Sequence, residues 1–490
     1  MVIALSLVLP AAAAVWLLGA GRGLAHRTVN RVALAASAVT LVAVLGAVLT
    51  RPTIDRPWVP ALDLRWQFAV DGISAPLLVM TAVLGVAVVV HSSRRRPEGG
   101  TSAVFHACLL LVETGALATF YARDAILFFI AFEVVLVPMW VLITRFGDAH
   151  RPAARADAGA RFVLYTALGS TLMLVGILAL VASAGTADLE VLARGNGSGI
   201  PQGTQLLIAL ALVSGLGIKV PLFPGHTWLP PAHTIAPTAG SVLLAAVLLK
   251  MGTYGLVRLP IAAVPDAFGR IAPVLAVVGA IGILWGGLAC LVERDLKRLI
   301  AYSSVAHMGF VALGLASGTS TGMQAALFAN VAHGVVSALL FFIVGGLKER
   351  WGSADLTVAR AALREVSPRL GFALVVGLAA SLGLPGLAGF WGEFLSLYAV
   401  WSPADGLPLG VFRAAAVAGA AGTVLAAAYA LRVAGLVWAG DRTEPAVADT
   451  RGAEWAVVGG LVAATLVLGV LPHVLLSVTS DAVSALVGGS

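Results

Sequence analysis

The chain has little charge for its length. Only 11% of its 490 residues are Asp, Glu, Lys or Arg, and 59% are hydrophobic, whereas soluble domains average about 25% charged and about 45–50% apolar. A conventional water-soluble globule is thereby excluded. Cysteine is almost missing: Cys108 and Cys290 both sit in apolar runs without CxxC or Cys/His ligand spacing, so neither a disulfide framework nor an iron–sulfur site is expected. There is no HExxH-type spacing and no nucleotide-binding motif, so no metal is expected and any driving energy has to arrive from neighbours. The net charge of +7 does not signal nucleic acid, because the basic residues lie in short loops between apolar segments, where they report orientation.

What the sequence has in abundance is apolar runs. About 20 such residues cross a bilayer, and spans are expected near 2–20, 31–49, 72–91, 103–121, 125–144, 161–182, 204–224, 236–257, 271–291, 298–317, 322–346, 371–399, 412–438 and 454–479. This is an all-α polytopic membrane protein with 14 expected spans. The first lacks a basic leader and a small-residue cleavage site, so it is read as a span and not as a signal peptide.

Loops after odd-numbered spans hold twenty basic residues: Arg22, Arg27, Arg31, Arg94, Arg95, Arg96, Arg145, Arg151, Arg155, Arg161, Arg294, Lys297, Arg298, Lys348, Arg350, Arg360, Arg364, Arg369, Arg442 and Arg451. The opposite loops hold eight: Arg51, Arg56, Arg65, Arg123, Arg194, Arg258, Arg270 and Arg413. The positive-inside rule places the first set in the cytoplasm and both termini outside. Within "ERDLKRLIAYSS", Glu293, Arg294, Asp295, Lys297 and Arg298 are expected to form a solvated cytoplasmic cluster at a helix start.

Some charges fall inside the spans. Glu133 lies nine residues from Asp124 and twelve from Arg145, about 13 and 18 Å along a helix. Lys250 is eight residues from Arg258, about 12 Å, again near mid-depth. Lys219, Glu393 and, as a further candidate, Glu113 complete the set, while Arg432 is near enough to a span end to snorkel. Each such group costs about 2.5 kcal/mol or more in hydrocarbon. Paired glue between helices would account for any one of them; alternating acids and bases in a hydrated interior read as a proton path.

Two spans also carry breaks. "GIKVPLFPGHTWLPPAHTIAP" (217–237) and "SLGLPGLAGFWGEF" (381–394) interrupt spans seven and twelve with Pro and Gly, and broken backbone at membrane depth survives only where protein or water satisfies it. Lying five spans apart, the two segments run in opposite directions. That is the pattern of an inverted repeat: N-terminal helices 1–3 over residues 1–102, a first five-helix unit over 103–258, an inverted second unit over 271–438 and a C-terminal helix over 454–479. His226, His233, His307 and His333 lie in or beside apolar runs. Imidazole relays protons near neutral pH, and a neutral histidine hydrogen-bonded to a neighbouring helix is the alternative for each.

The stretches "KVPLFPGHTWLPPAHTIAPTAGSVLLAAVLLKMGTYGLVR", "ERDLKRLIAYSSVAHMGF" and "LLLVETGALATFYARDAILFFIAFEVVLVPMW" resemble the antiporter-like membrane subunits of respiratory complex I, the NADH:quinone oxidoreductase, and most of all its subunit M (NuoM) type. The resemblance extends from about residue 70 to 440. It implies a proton-translocating membrane-arm subunit in a bacterial inner membrane, flanked by L-type and N-type neighbours, with FMN, iron–sulfur clusters and quinone held by partner subunits. It also implies that Glu133 and Lys219 form the key pair, that Lys250 is the central lysine, that Glu393 is the acid of the second broken helix and Glu113 the extra acid of span four; His226, His307 and His333 are added as candidates from their own chemistry and position. An L-type subunit would continue into a long lateral helix and, like the N-type, carry lysine at the second break. In "LPPAHTIAP", Pro231 and Ile235 replace acids common in the family, which removes any acid role at that loop. In the implied mechanism, Glu133 holds Lys219 charged when close, and their separation releases the proton toward Lys250, the histidines and Glu393. The remaining alternatives are a subunit of a multisubunit Na⁺/H⁺ antiporter or membrane-bound hydrogenase, a self-sufficient solute transporter, and a structural assembly subunit.

Overall fold

The computed structural model describes residues 1–93, 96–356, 362–440 and 448–487. Of the residues counted above, Arg94, Arg95, Arg360 and Arg442 lie outside the described residues.

In chain order the helices begin with α1 (Val2–Ala20) and α2 (His26–Thr50), followed by a hairpin of β1 (Ile54–Val59) and β2 (Leu64–Phe68). Then come α3 (Ser74–Ser92), α4 (Ser102–Tyr121), α5 (Ala125–Val134), α6 (Leu136–Phe146), α7 (Pro152–Ala184), α8 (Leu189–Gly195), α9 (Gln202–Lys219), α10 (Leu229–Ile235), α11 (Thr238–Leu243) and α12 (Leu249–Leu256). The chain closes with α13 (Pro265–Val292), α14 (Leu296–Ala316), α15 (Ser320–Trp351), α16 (Leu363–Val366), α17 (Pro368–Ser381), α18 (Ala388–Trp401), α19 (Leu409–Val433), α20 (Ala453–Val470) and α21 (His473–Val487). Asp124, Asp188, Asp295 and Thr319 cap α5, α8, α14 and α15 by accepting from backbone N–H groups of the first turn, which satisfies donors that a helix start otherwise leaves open.

Among the described residues, 13 helices are long and apolar enough to cross a membrane. The twelfth expected span, 371–399, is broken within 381–394, where the sequence placed an interruption, into the two shorter helices α17 and α18. The seventh stops at Lys219, five residues short of the expected 224, because Pro221 and Pro224 remove donors. The fourteenth, expected to run to 479, ends at Val470; Pro472 ends the ladder and α21 starts at His473. The hairpin was not anticipated. Its strands pair antiparallel from Ile54 opposite Phe68 to Val59 opposite Leu64, and Trp58 packs on Trp66 with ring centroids 4.8 Å apart.

Two features distort otherwise regular spans. Pro138 has no N–H to offer the Val134 carbonyl four residues back, and the helix is interrupted at Val135 between α5 and α6. The span Thr238–Ile261 contains π-helical turns at Leu244–Leu248 and Val257–Ile261. Pro260 lies inside the second, and such turns cluster at functional positions.

The chain forms two compact units. One comprises Met1–Pro221, Val247–Ala272 and the C-terminal residues from Val478, and the other Leu222–Ala246 and Pro273–Ser477. In the first, α1 packs on α2 and α4, and α7 on α9. In the second, α15 is the central helix, packed against α14, α17, α18 and α20, and its most apolar stretch is 100% buried.

Candidate functional site

In the first unit the charged groups arise from local packing rules. Gly169 on α7 and Gly215 on α9 let two backbones touch: a Cβ on Gly215 would stand 2.5 Å from the Gly169 carbonyl oxygen and 2.6 Å from the Met173 nitrogen. Small residues at such crossings are how membrane helices approach closely. The crossing fixes Ser170 and Lys219 on neighbouring helices. Ser170 donates to the Glu133 carboxylate at the α5–α6 interruption. Lys219, the last residue of α9, is buried, with its ammonium 5.0 Å from the Phe132 ring centroid and 6.0 Å from that of Phe162. An aromatic face offers a cation about 0.5–2 kcal/mol. The hydrogen-bond partner of Glu133 among the described residues is Ser170, and Lys219 lies nearby against the ring of Phe132, the residue next to Glu133.

Lys250 follows the first π turn and is wholly buried. Its near neighbour Gly252 brings α12 against the end of α9, where a Cβ would meet the Val220 nitrogen at 3.1 Å and the Leu216 carbonyl at 3.2 Å. Glu113 on α4 is also buried and accepts from Ser37 on α2 at 2.9 Å. Gly85 on α3 leaves room for it, as a Cβ there would stand 2.5 Å from the Glu113 carboxyl carbon.

A further cluster of the first unit was not anticipated. Asp71, in the turn before α3, pairs with Arg123 at 3.2 Å and with Arg258. Arg123 donates to the Tyr254 hydroxyl at 2.6 Å, and that hydroxyl donates to the Phe120 carbonyl at 3.0 Å. Arg258, expected in a loop, is instead in the second π turn with its charge neutralised. Burial pushes the Asp71 carboxyl up, but Arg258 and Arg123 overcome this and hold it well below the usual carboxylate range.

In the second unit the broken helix supplies the chemistry. Where α17 stops, its last carbonyls lose their intrahelical partners, and the Ser381 carbonyl accepts from His307 Nε2 at 2.8 Å. His307 Nδ1 faces the Ser303 carbonyl at 2.6 Å. Carbonyl oxygens only accept, so the doubly protonated imidazolium is the form that satisfies both. Glu393 on α18 lies beside the ring, its Oε1 3.3 Å from Nε2. His333 on α15 lies beside them, 5.4 Å between ring centroids. Ser303, His307, His333, Ser337, Ser381 and Glu393 line a cavity of about 20 Å³, which is room for about one water. Gly383, at φ +75°, adopts a left-handed turn conformation that brings the chain close to the Glu393 carboxylate.

The structure thus brings His307, His333 and Glu393 together in one unit, and Ser170, Glu133 and Lys219 in the other. His226 is not among the residues lining that cavity; it is buried and stacked on Phe223 at 5.6 Å. His233 stacks on Phe341 at 4.5 Å. Arg432 donates to the Cys290 and Glu293 carbonyls at 3.3 and 2.9 Å, so it caps a neighbouring helix end. The expected solvated cluster at 293–298 needs correction. Lys297 is 2% exposed and donates to the Ala236 carbonyl at 2.6 Å; a lysine at the second position of a helix reads as solvated until the loop it reaches is known. Cys108 and Cys290 are buried free thiols.

A family described as "NADH:quinone oxidoreductase/Mrp antiporter, TM" matches residues 122–417. The chain is 35% identical to NADH-quinone oxidoreductase subunit M of Rhodobacter capsulatus, over 98% of this chain and 95% of that one. It is 37% identical to NAD(P)H-quinone oxidoreductase chain 4 1 of Synechococcus sp. (strain JA-3-3Ab), over 85% and 78%. Among solved structures, a chain of respiratory complex I from Thermus thermophilus with bound NADH superimposes with a TM-score of 0.86 at 28% identity, covering 99% of this chain and 100% of that one. A chain of the Mrp complex from Dietzia sp. DQ12-45-1b shares the fold, with a TM-score of 0.87 at 22% identity over 100% and 52%. With these matches added to its broken helices and buried charges, the chain belongs to the transmembrane NADH:quinone oxidoreductase/Mrp antiporter family.

Proposed function

We propose that this chain is a proton-translocating subunit of the membrane arm of a bacterial NADH:quinone oxidoreductase. It sits multi-pass in the inner membrane with both termini outside, between L-type and N-type neighbours. Partner subunits hold FMN, the iron–sulfur clusters and quinone, and quinone reduction there supplies the energy. The observation that carries this reading is the ordered set of titratable groups at helix interruptions: Glu133 at the Pro138 break, Lys219 at the end of α9, Lys250 after a π turn and Glu393 with His307 at the α17–α18 break. Such breaks furnish polar backbone where a proton has to be handed over in hydrocarbon.

Glu133 stabilises the charge on Lys219 electrostatically. When a movement weakens that interaction, a buried cation is disfavoured and Lys219 gives up its proton; Lys250 continues this half-path. His307, His333 and Glu393 form the other, around a cavity with room for about one water; Glu113, in the first unit, is a further acid. Near full-length similarity to a subunit M favours the quinone-linked role over the antiporter and hydrogenase alternatives.

The test is proton pumping by membrane vesicles carrying Glu133→Gln, normalised to NADH:quinone electron transfer and to assembled complex. The expected result is an assembled complex whose pumping collapses. Wild-type pumping would make Glu133 structural and remove the first step. Lys219→Met separates the purely structural alternative, which predicts loss of assembly.

A further inference from the structure

The three N-terminal helices carry polar groups that the scheme above leaves unused. Helices α2 and α4 meet through His26 and Ser102 (2.9 Å), Asn30 and His106 (3.1 Å), and Ser37 and Glu113 (2.9 Å), and each pair is 76 residues apart in the chain. A constant difference means that the helices run parallel and in step, placing three polar contacts along one shared seam. Ser37 and His106 are 0% exposed, Glu113 1% and Asn30 5%.

The hydrogen bonds assign the proton positions. His106 Nδ1 lies 2.8 Å from the Ser102 carbonyl, which only accepts, so Nδ1 carries a hydrogen. Asn30 Nδ2 donates to the Val89 carbonyl at 2.9 Å and to His106 Nε2 with its other hydrogen. Nε2 is therefore the basic nitrogen of the ring, its lone pair accepting from Asn30. The rings of His26 and His106 are 5.7 Å apart. At one end, His26, Ser102, Thr101, Arg22 and Arg96 line a cavity of about 340 Å³ on the arginine-rich side. Farther along the seam, Glu113 Oε1 and Thr40 Oγ1 are buried without hydrogen-bond partners among the described residues, as is His26 Nε2 at the mouth.

Helix–helix glue accounts for three hydrogen bonds. It does not account for a buried carboxyl with one oxygen unpartnered, a glycine at position 85 making room for it, and two imidazoles leading from a hydrated mouth toward it. We propose that this seam is a second proton-intake route, from the cytoplasmic mouth at His26 to Glu113. The proposal rests on the proton-translocating reading above. A proton bound at His26 Nε2 releases the Nδ1 proton by way of Ser102; as the Asn30 amide swings aside, His106 takes one at Nε2 and passes it on to the Glu113 carboxylate, returning to its neutral form. No electron moves. His106 and Glu113 are seven residues apart on α4, about 10 Å, so the transfer between them requires a water to enter beside the small buried residues Ala33 and Ala36 of α2.

The experiment uses assembled complex in inverted vesicles and measures protons pumped per NADH oxidised, with NADH:ferricyanide activity reporting the amount of complex. His106→Gln keeps hydrogen-bonding groups but cannot hold the extra proton. It is expected to assemble and to pump about tenfold less, a smaller loss than the ~10²-fold or more of an outright proton-transfer group because the other intake remains. His26→Ala, at the mouth, is expected to show the same partial loss and to recover pumping in part with added imidazole. Wild-type pumping by both variants, alongside a collapsed Glu133→Gln, overturns the seam and leaves the translocation reading intact. Intact pumping in Glu133→Gln as well overturns that reading itself. If His106→Gln fails to assemble, His26→Ala decides: imidazole recovery supports the route, and an unchanged His26→Ala overturns it.

Discussion

Asp71 shows what a single residue decides. Its carboxylate faces Arg123 and Arg258 and is held below the usual range. For an acid whose folded value is depressed, the stabilisation is fully present above the unfolded value, about 3.9, and is lost as pH falls through the folded value. Asp71→Asn is therefore expected to lower thermal stability at pH 6, by roughly 2 kcal/mol, less than the ~3–5 of a fully buried pair because Asp71 is partly solvated. The gap to wild type should narrow below about pH 4. A pH-independent gap in the melting of purified complex would show that packing, not charge, is lost. In the second unit, Glu393→Gln and His307→Gln are each expected to assemble and lose pumping, and the double variant to be no worse than either, since groups acting as one unit are not additive. Additive losses in the same vesicle assay would separate their roles. Charges at mid-span, such as Glu133 and Lys250, were legible because hydrocarbon makes any charge conspicuous. Lys297 and Arg258 were not, because near a span end a charge reads as solvated until its partner, the Ala236 carbonyl or Asp71, is brought in by folding.

At the scale of the element, interruptions matter more than lengths. Pro and Gly announced the breaks after Lys219 and Ser381, since missing donors and left-handed turns are properties of residue type. The π turns before Lys250 and around Arg258 had no such sign in the first case, because an extra residue per turn is absorbed by neighbouring helices and not dictated by composition. The α7–α9 crossing is similarly tertiary. Gly215→Ala would press a methyl group on the Gly169 carbonyl and the Met173 nitrogen, both backbone. It is expected to cost about 1–3 kcal/mol, read as a lower melting temperature of the assembled complex, and to weaken pumping by moving Lys219 away from Glu133. An unchanged melt would show that the two helices separate freely.

For the molecule as a whole, the basic residues predict orientation. Ser198 and Ala149 are exposed in loops on opposite sides of the proposed topology, and both native thiols are buried. A membrane-impermeant thiol reagent added to right-side-out vesicles is expected to label Ser198→Cys and not Ala149→Cys; the reverse pattern would invert the topology and with it the direction of both half-paths. The composition and run lengths alone determined that this chain lives in a bilayer as a series of helices with charges stranded inside, because about 20 apolar residues have no cheaper place to be. Which of those charges meet was decided only by the tertiary structure. The meeting of His307 with Glu393, of Ser170 with Glu133 and of Asn30 with His106 depends on which helix faces lie together. In hydrocarbon that choice is made by close packing and hydrogen bonding between helices and not by hydrophobicity, which is the same on every lipid-facing side.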